Sequence, residues 1–166
     1  MIQMNVGDHS GSENGVPFTP IPGRDRGQVS WARAKAFWIT RNIKGANAYF
    51  RSLPLGRSLT DLLNDTSIWI NFDPTLDNQT SGFTFANSDI WIGPQPFRIG
   101  RWTVLATIIH ELAHIDGAVG GASCTPDGAG CADAERAVLE CGLGKRSELR
   151  TGVDDPSTPY DPTIRG

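Results

Sequence analysis

Hydrophobic residues recur three and four positions apart along the first third of the 166-residue chain. This spacing between residues 30 and 53 predicts a long helix, with Ser30 as its N-cap and Pro54 as its end. Gly45 lies inside the stripe and argues against an unbroken helix. A shorter helix is predicted over residues 58–63. The apolar positions of the long helix are Ala32, Ala36, Ile39, Ile43, Ala46, Phe50 and Leu53.

Strict alternation replaces the helical spacing in the middle of the chain. Residues 67–72, 82–85 and 89–93 alternate and are rich in β-branched and aromatic side chains, so each predicts a strand. We expect these strands to form a small antiparallel sheet, and hence an α+β domain over residues 28–166. Residues 1–27 are rich in Gly, Ser and Pro, which predicts a flexible leader outside the core.

A further helical pattern begins at residue 101 and ends in the sequence His-Glu-Leu-Ala-His, residues 110–114. Its apolar residues repeat at helical spacing, and His110 and His114 lie together on a different stripe. Residues four apart share one face of a helix, so both imidazoles can bind one Zn²⁺. Glu111 lies beside them, as a general base for an activated water does. The apolar face consists of Trp102, Leu105, Ala106, Ile109 and Ala113.

A catalytic zinc ion needs a third protein ligand. Gly120 stands where the longer three-histidine form of the motif requires histidine, so that form is excluded. A helix predicted over residues 132–142 carries Asp133 and Glu140 on one side of its apolar stripe and Glu135 on the other. Periodicity therefore does not choose among these three carboxylates.

An H-E-x-x-H motif followed by a glutamate on a second helix resembles the gluzincin branch of the zincin metallopeptidases. The resemblance implies a zincin-like fold and one Zn²⁺ held by His110, His114 and Glu135, with Glu111 as the catalytic base. Glu140 is the second choice for the third ligand. Weaker choices are Asp133 and the loop residues Asp116 and Asp127. In zincins an extended peptide pairs with a strand that precedes the metal helix, which makes residues 89–93 the candidate strand.

The short chain, with its late Ala-Glu and Cys-Gly-Leu-Gly sequences, is also similar to small metallopeptidase domains of bacterial secreted toxins. That resemblance implies a zinc-dependent metalloendopeptidase acting on a protein or peptide, with a cognate immunity or inhibitor protein. It favours export to the periplasm or a target cell, and a cytoplasmic location stays open. The alternatives are a zinc hydrolase of a non-peptide bond, such as a cell-wall amide, and a non-catalytic zinc-stabilised binding module.

Composition and charge mainly exclude classes of protein. A net charge of −3 without any basic run gives no reason to expect nucleic-acid binding. No stretch approaches 18 apolar residues, so no membrane span is expected, and the chain as written has no secretory signal. The third histidine, His9, is expected to be solvated in the leader. A Cys124–Cys131 disulfide is favoured over pairing of Cys124 with Cys141 and over three free thiols.

Overall fold

The computed structural model describes residues 1–77, 80–85, 89–118 and 132–143. In this part of the chain, six helices accompany a four-stranded sheet and a two-stranded hairpin. Within the same part, no helix combines the length and apolarity needed to cross a membrane. The elements are β1 (Gln3–Met4), β2 (Ser12–Glu13), β3 (Val16–Pro17), α1 (Arg26–Asn42), α2 (Lys44–Arg51), α3 (Leu59–Asn64), β4 (Trp69–Phe72), β5 (Gly82–Thr84), β6 (Asp89–Ile92), α4 (Pro94–Ile99), α5 (Arg101–Ile115) and α6 (Ala132–Glu140).

The main sheet is mixed, which confirms a domain of both helices and strands but corrects the expected antiparallel arrangement. Its strand order is β1-β4-β6-β5. The pairs β1–β4 and β4–β6 are parallel, and only β5–β6 is antiparallel. After β4 the chain forms β5 at the edge of the sheet, and β6 then lies between β4 and β5. This path makes β6 antiparallel to β5 and parallel to β4.

The two faces of the sheet have different partners. Ile70, Ile90 and Ile92 are fully buried in the hydrophobic core that also contains the helices. Trp91 lies on the opposite face because neighbouring residues of a strand alternate. Its ring stacks on Phe83 at 5.1 Å, and its Nε1 donates to the carbonyl of Pro17 at 3.0 Å. The N-terminal segment therefore covers the face away from the helices.

This arrangement corrects the prediction that residues 1–27 form a leader outside the core. Ile2 and Ile21 are fully buried, and Gln3 pairs with Trp69 in the sheet. Glycine makes a chain more flexible and proline interrupts regular helices and strands, but neither prevents the apolar residues between them from packing. The segment is ordered by its contacts with β4 and β6, which composition alone does not reveal.

The long predicted helix is two helices. Asp25 precedes α1, so Ser30 lies inside the helix and is not its N-cap. The backbone at Ile43 is extended, with φ −108° and ψ 104°, and α2 begins at the next residue. Gly45 allows α2 to lie close to α6, since a Cβ at this position would meet the backbone oxygen of Glu140 at 3.3 Å.

Helix α5 lies in the middle of the domain and packs against α1, α4, α6 and the sheet. Ten of its fifteen residues are buried, so it is enclosed on more sides than a single apolar stripe predicts. Trp31 of α1 packs against the first turn of α5. Its ring meets Trp102 edge-on at 4.8 Å, and the Arg101 guanidinium lies 4.3 Å from its centre. This packing fixes the helix that carries the histidines.

Helix α6 packs as its sequence predicts. All four residues of the predicted apolar stripe are buried, and Gly142 ends the helix with φ +77°. The backbone N–H of Leu143 donates to the carbonyl of Val138 at 3.0 Å, which closes the helix end. Packing of this stripe on α5 brings the carboxylates of α6 towards the histidine-bearing helix. The stripe consists of Ala134, Ala137, Val138 and Cys141.

Candidate metal centre

The two histidines of α5 turn their rings towards each other. The Nε2 atoms of His110 and His114 lie 3.0 Å apart, and the ring planes are inclined by 75°. Two nitrogens bound to one tetrahedral zinc ion at about 2.0–2.1 Å would be about 3.3 Å apart. The spacing of the pair therefore fits two ligands of one metal ion after a small adjustment.

The other ring nitrogen of each histidine faces an oxygen atom. The Nδ1 of His114 lies 2.9 Å from the carbonyl oxygen of Ala118. Because a carbonyl only accepts, this Nδ1 must donate, and the Nε2 of His114 is left with a lone pair. The Nδ1 of His110 lies 3.4 Å from Oε1 of Glu135, so this carboxylate is on the Nδ1 side of the ring and has to turn towards Nε2 to bind the same metal ion. Metal-bound histidines commonly donate their other ring nitrogen to a carbonyl or a carboxylate, as His114 does to Ala118.

Glu111 is buried next to the pair, with 3% of its surface exposed. Its carboxylate is turned towards β5. Oε1 lies 3.5 Å from the position that a Cβ at Gly82 would take, beside the methyl group of Thr107. The carboxylate therefore lies between the histidine-bearing helix and the outer strand.

The structure separates the two leading choices for the third ligand. Glu135 is brought beside His110, and 24% of its side chain is exposed. Glu140 instead faces α2, where its Oε2 lies 3.1 Å from the position of a Cβ at Gly45, and it pairs with Arg136 at 3.5 Å. Helical geometry accounts for this, because residues five apart point to different sides of a helix.

Of the three weaker choices of ligand, only Asp116 has a described side chain. Asp116 is fully buried, and its Oδ1 accepts from Nε of Arg57 at 3.1 Å. Burial raises the pKa of Asp116 above its ordinary value, and the hydrogen bond from Arg57 opposes that shift. Asp127 and the side chain of Asp133 lie outside the described residues. Among the side chains that are described, no three of His, Cys, Asp or Glu form a group that could hold a metal, so the third ligand stays a prediction.

The expected peptide-pairing strand is corrected by the sheet order. Strand β6, which covers most of the predicted stretch 89–93, has β4 on one side and β5 on the other. Its backbone groups are therefore engaged with both neighbours. In the described part of the sheet, the strand at this end is β5, which lies against α5 and places Gly82 beside Glu111.

Two features of the site could not be expected from the motif. The Ala118 carbonyl that holds His114 is a backbone group, and no residue type announces it. Gly82 does carry a signal, because a glycine within a strand often marks a close approach of another element. A Cβ there would lie 2.6 Å from the carbonyl oxygen of Trp91 and 2.8 Å from Cγ2 of Thr107.

His9 is not solvated, contrary to expectation. Its ring lies between those of Phe18 and Trp69, at 4.2 and 4.4 Å, and its Nε2 is 3.0 Å from Oδ1 of Asp89. Asn71 also donates to this oxygen, at 2.7 Å. The residue belongs to the packing of the N-terminal segment on the sheet. It is on the face of the sheet away from the histidine-bearing helix α5.

Cys141 is buried in the core as a free thiol. Burial raises its pKa well above the ordinary range, which keeps it protonated and unreactive. Cys124 and Cys131 lie outside the described residues, so the predicted disulfide stays a prediction.

Comparison of the chain with protein-family models, with curated proteins and with solved structures gave no match. A function for this protein is therefore inferred from the geometry of the site and from the motif.

Proposed function

We propose that the protein is a zinc-dependent metallopeptidase of zincin-like fold, with one Zn²⁺ held by His110, His114 and Glu135. The observation that carries the proposal is the convergence of the two Nε2 atoms at 3.0 Å, with Nδ1 of His114 held by a backbone carbonyl. In the metal-free protein the two rings can share one proton in an Nε2–H···Nε2 hydrogen bond, and a bound metal ion would take the place of that proton.

Zinc bound at this pair would supply a Lewis acid and would lower the pKa of its water towards about 7. The protein's own contribution is a base in the right place. Glu111 follows the first histidine on the same helix and is buried, so its carboxylate can take a proton from the attacking water and pass it to the leaving amine. Because little of Glu111 is exposed, few solvent molecules can compete with the attacking water for its carboxylate.

The outer strand supports a peptide as the substrate. Strand β5 lies beside α5 and precedes it in the chain, as the strand along the cleft does in zincins. An extended peptide adding to this strand would be held by backbone hydrogen bonds, largely independent of its sequence. Its scissile bond would then pass close to Gly82 and Glu111.

For the biological role, we propose an exported bacterial effector or toxin that cleaves a protein and has a cognate inhibitor. Support for this part comes from the resemblance to small toxin domains. The charge and composition of the chain fit it without requiring it.

Three measurements test the function together: zinc binding by calorimetry, hydrolysis of casein, and hydrolysis of purified peptidoglycan. We expect one zinc ion per chain and cleavage of casein. Glu111→Gln should still bind zinc but should lose about 10²–10⁴-fold in the rate of proteolysis, since that is what a general base contributes. Glu13→Gln in β2 makes the same chemical change away from α5 and should leave the rate unaltered.

Each alternative predicts a different pattern. Undiminished proteolysis by zinc-loaded Glu111→Gln would exclude the proposed base. Cleavage of peptidoglycan without cleavage of casein would favour the cell-wall amidase. Zinc that is bound without any hydrolysis, and whose removal unfolds the protein, would indicate a structural zinc module.

A further inference from the structure

The turn that follows α5 is held at several points by the loop that follows α2. Residues 116–118 form this turn, and residues 53–58 form the loop. The backbone N–H of Leu55 donates to the carbonyl of Asp116 at 3.1 Å. Gly117 has φ +91°, and a Cβ there would lie 2.9 Å from Cβ of Pro54. The two segments are therefore in contact along their length.

Arg57 makes the strongest of these contacts. Its backbone N–H and its Nε both donate to Oδ1 of Asp116, at 3.3 and 3.1 Å. Its Nη2 donates to the carbonyl of Ile115 at 3.0 Å, at the end of α5. Asp116 is fully buried, whereas about a third of the Arg57 side chain is exposed. One guanidinium thus joins the last carbonyls of the helix to the first residue of the turn.

The position of this turn determines where the hydrogen-bond acceptor of His114 lies. Ala118 is held by its own N–H, which donates to the carbonyl of Ala113 at 2.9 Å, and its carbonyl then lies 2.9 Å from Nδ1 of His114. If the turn moved, this carbonyl would leave the imidazole. The ring would then be free to protonate on Nε2 or to rotate away from His110.

We propose that Arg57 and Asp116 are positioning residues that hold the turn whose Ala118 carbonyl orients His114. They set the imidazole in the tautomer with Nε2 turned to His110 before any metal binds. The consequence for zinc affinity rests on the proposed function, whereas the orientation of His114 is a property of the metal-free protein. The two can therefore fail separately.

The test is long-range ¹H–¹⁵N NMR of the histidine rings in metal-free protein at about pH 8, above the usual histidine pKa of about 6.5. In the wild type we expect His114 as a single tautomer with its proton on Nδ1. In Arg57→Met we expect that signature to be lost to a mixture of tautomers. Ile70→Val, which shortens a fully buried side chain of β4, is a control for lost stability and should keep the wild-type pattern.

Arg57→Lys decides the matter if Arg57→Met does not fold. Lysine keeps the charge but lacks the fork that reaches Asp116 and Ile115 together, so tautomer mixing is again expected. A wild-type signature in every folded Arg57 variant would overturn the inference, and so would equal mixing in Ile70→Val.

Zinc titration of the same samples keeps the two proposals apart. Wild type that binds zinc, with a loss of about 10–100-fold in affinity in the Arg57 variants, supports both. Wild type that binds no zinc overturns the proposed function, and the NMR result still decides the role of Arg57 and Asp116.

Discussion

At the scale of single residues, the absence of a side chain at Gly82 allows the outer strand to lie against the histidine-bearing helix α5. Glu111 is close to this point because nothing separates the strand from the helix. The motif predicts the role of the carboxylate, and a glycine 29 positions earlier in the sequence shapes its surroundings.

Gly82→Ala should therefore be destabilising. The added methyl group would lie 2.6 Å from a backbone oxygen and 2.8 Å from Thr107, so the strand must move. Overpacking of this kind costs about 1–3 kcal/mol, which chemical denaturation would measure. Because the strand moves relative to Glu111, we also expect the rate of casein cleavage to fall by more than the unfolded fraction explains.

Gly27→Ala is the matched control. Gly27 lies in α1 with nothing within 4 Å of the new methyl group. Alanine is the better helix former, so this variant should be as stable as the wild type or up to about 1 kcal/mol more stable. If Gly82→Ala behaves like Gly27→Ala, β5 is not as close to α5 as the structure shows.

At the scale of elements, the six-residue helix α3 begins with side-chain hydrogen bonds to its backbone N–H groups. In α3, the side chain of Ser58 accepts from the N–H of Asp61 at 3.1 Å, and its hydroxyl donates to the Asp61 carboxylate at 2.6 Å. The N–H of Ser58 also donates to this carboxylate, at 3.0 Å. This reciprocal arrangement is a capping box.

Ser58→Ala should cost about 1 kcal/mol of unfolding free energy at neutral pH. Ser30→Ala is its control, since Ser30 is exposed inside α1 and its replacement should change stability by less than about 0.5 kcal/mol. A loss in Ser30→Ala as large as that in Ser58→Ala would instead place the start of α1 at Ser30, as its sequence predicts.

The same pair of variants has a predicted pH dependence. The hydrogen bond from the Ser58 side chain, first among several causes, holds the pKa of Asp61 below its ordinary value. A lowered folded-state pKa adds stability above the unfolded pKa of about 3.9, and this stability is lost as the pH falls below that value. The difference between the wild type and Ser58→Ala should therefore shrink in acid. Denaturation curves at neutral pH and near pH 3 would show a constant difference if the carboxylate were not involved.

Elements defined by their own periodicity could be predicted, and those defined by partners could not. α5 and α6 carry clear helical stripes, and β4 and β6 alternate, so local pattern was enough to find them. α1 and α2 share one stripe. Gly45 argued against an unbroken helix, but the break lies two residues earlier, at the extended backbone of Ile43, which no residue type there announces. Strand direction also escaped prediction, because it depends on where β5 joins the sheet.

The candidate site divides in the same way. His110, Glu111 and His114 follow from residue types at a fixed helical spacing. Glu135 lies close to His110 because α6 packs on α5. The apolar stripe of α6 predicted that this helix packs against another element, but it did not predict which carboxylate would face the histidines. The contacts made by Arg57 and Gly82 join segments far apart in the sequence, and of these two residues only the strand glycine carries a signal. The Ala118 carbonyl lies four residues from His114, but a backbone group has no residue type that announces it.

At the scale of the whole molecule, the N-terminal segment belongs to the domain that carries the site. It pairs with β4, covers the face of Trp91 and contributes Ile2 and Ile21 to the core. β4 and β6 lie between this segment and β5, so loss of the segment would expose the sheet against which the histidine-bearing helix packs. A flexible leader would have no such effect.

Ile2→Ala distinguishes these two interpretations. Ile2 is fully buried, and its N–H donates to the carbonyl of Leu63 at 2.8 Å, at the end of α3. Removing most of a buried isoleucine side chain costs about 2–5 kcal/mol, so the midpoint of chemical denaturation should fall clearly. Val6→Ala is the control because Val6 is 41% exposed, and it should change stability by less than about 0.5 kcal/mol. Equal, small effects of both substitutions would return residues 1–27 to the role of a leader, while a large loss confined to Ile2→Ala would show that this segment is part of the folded domain.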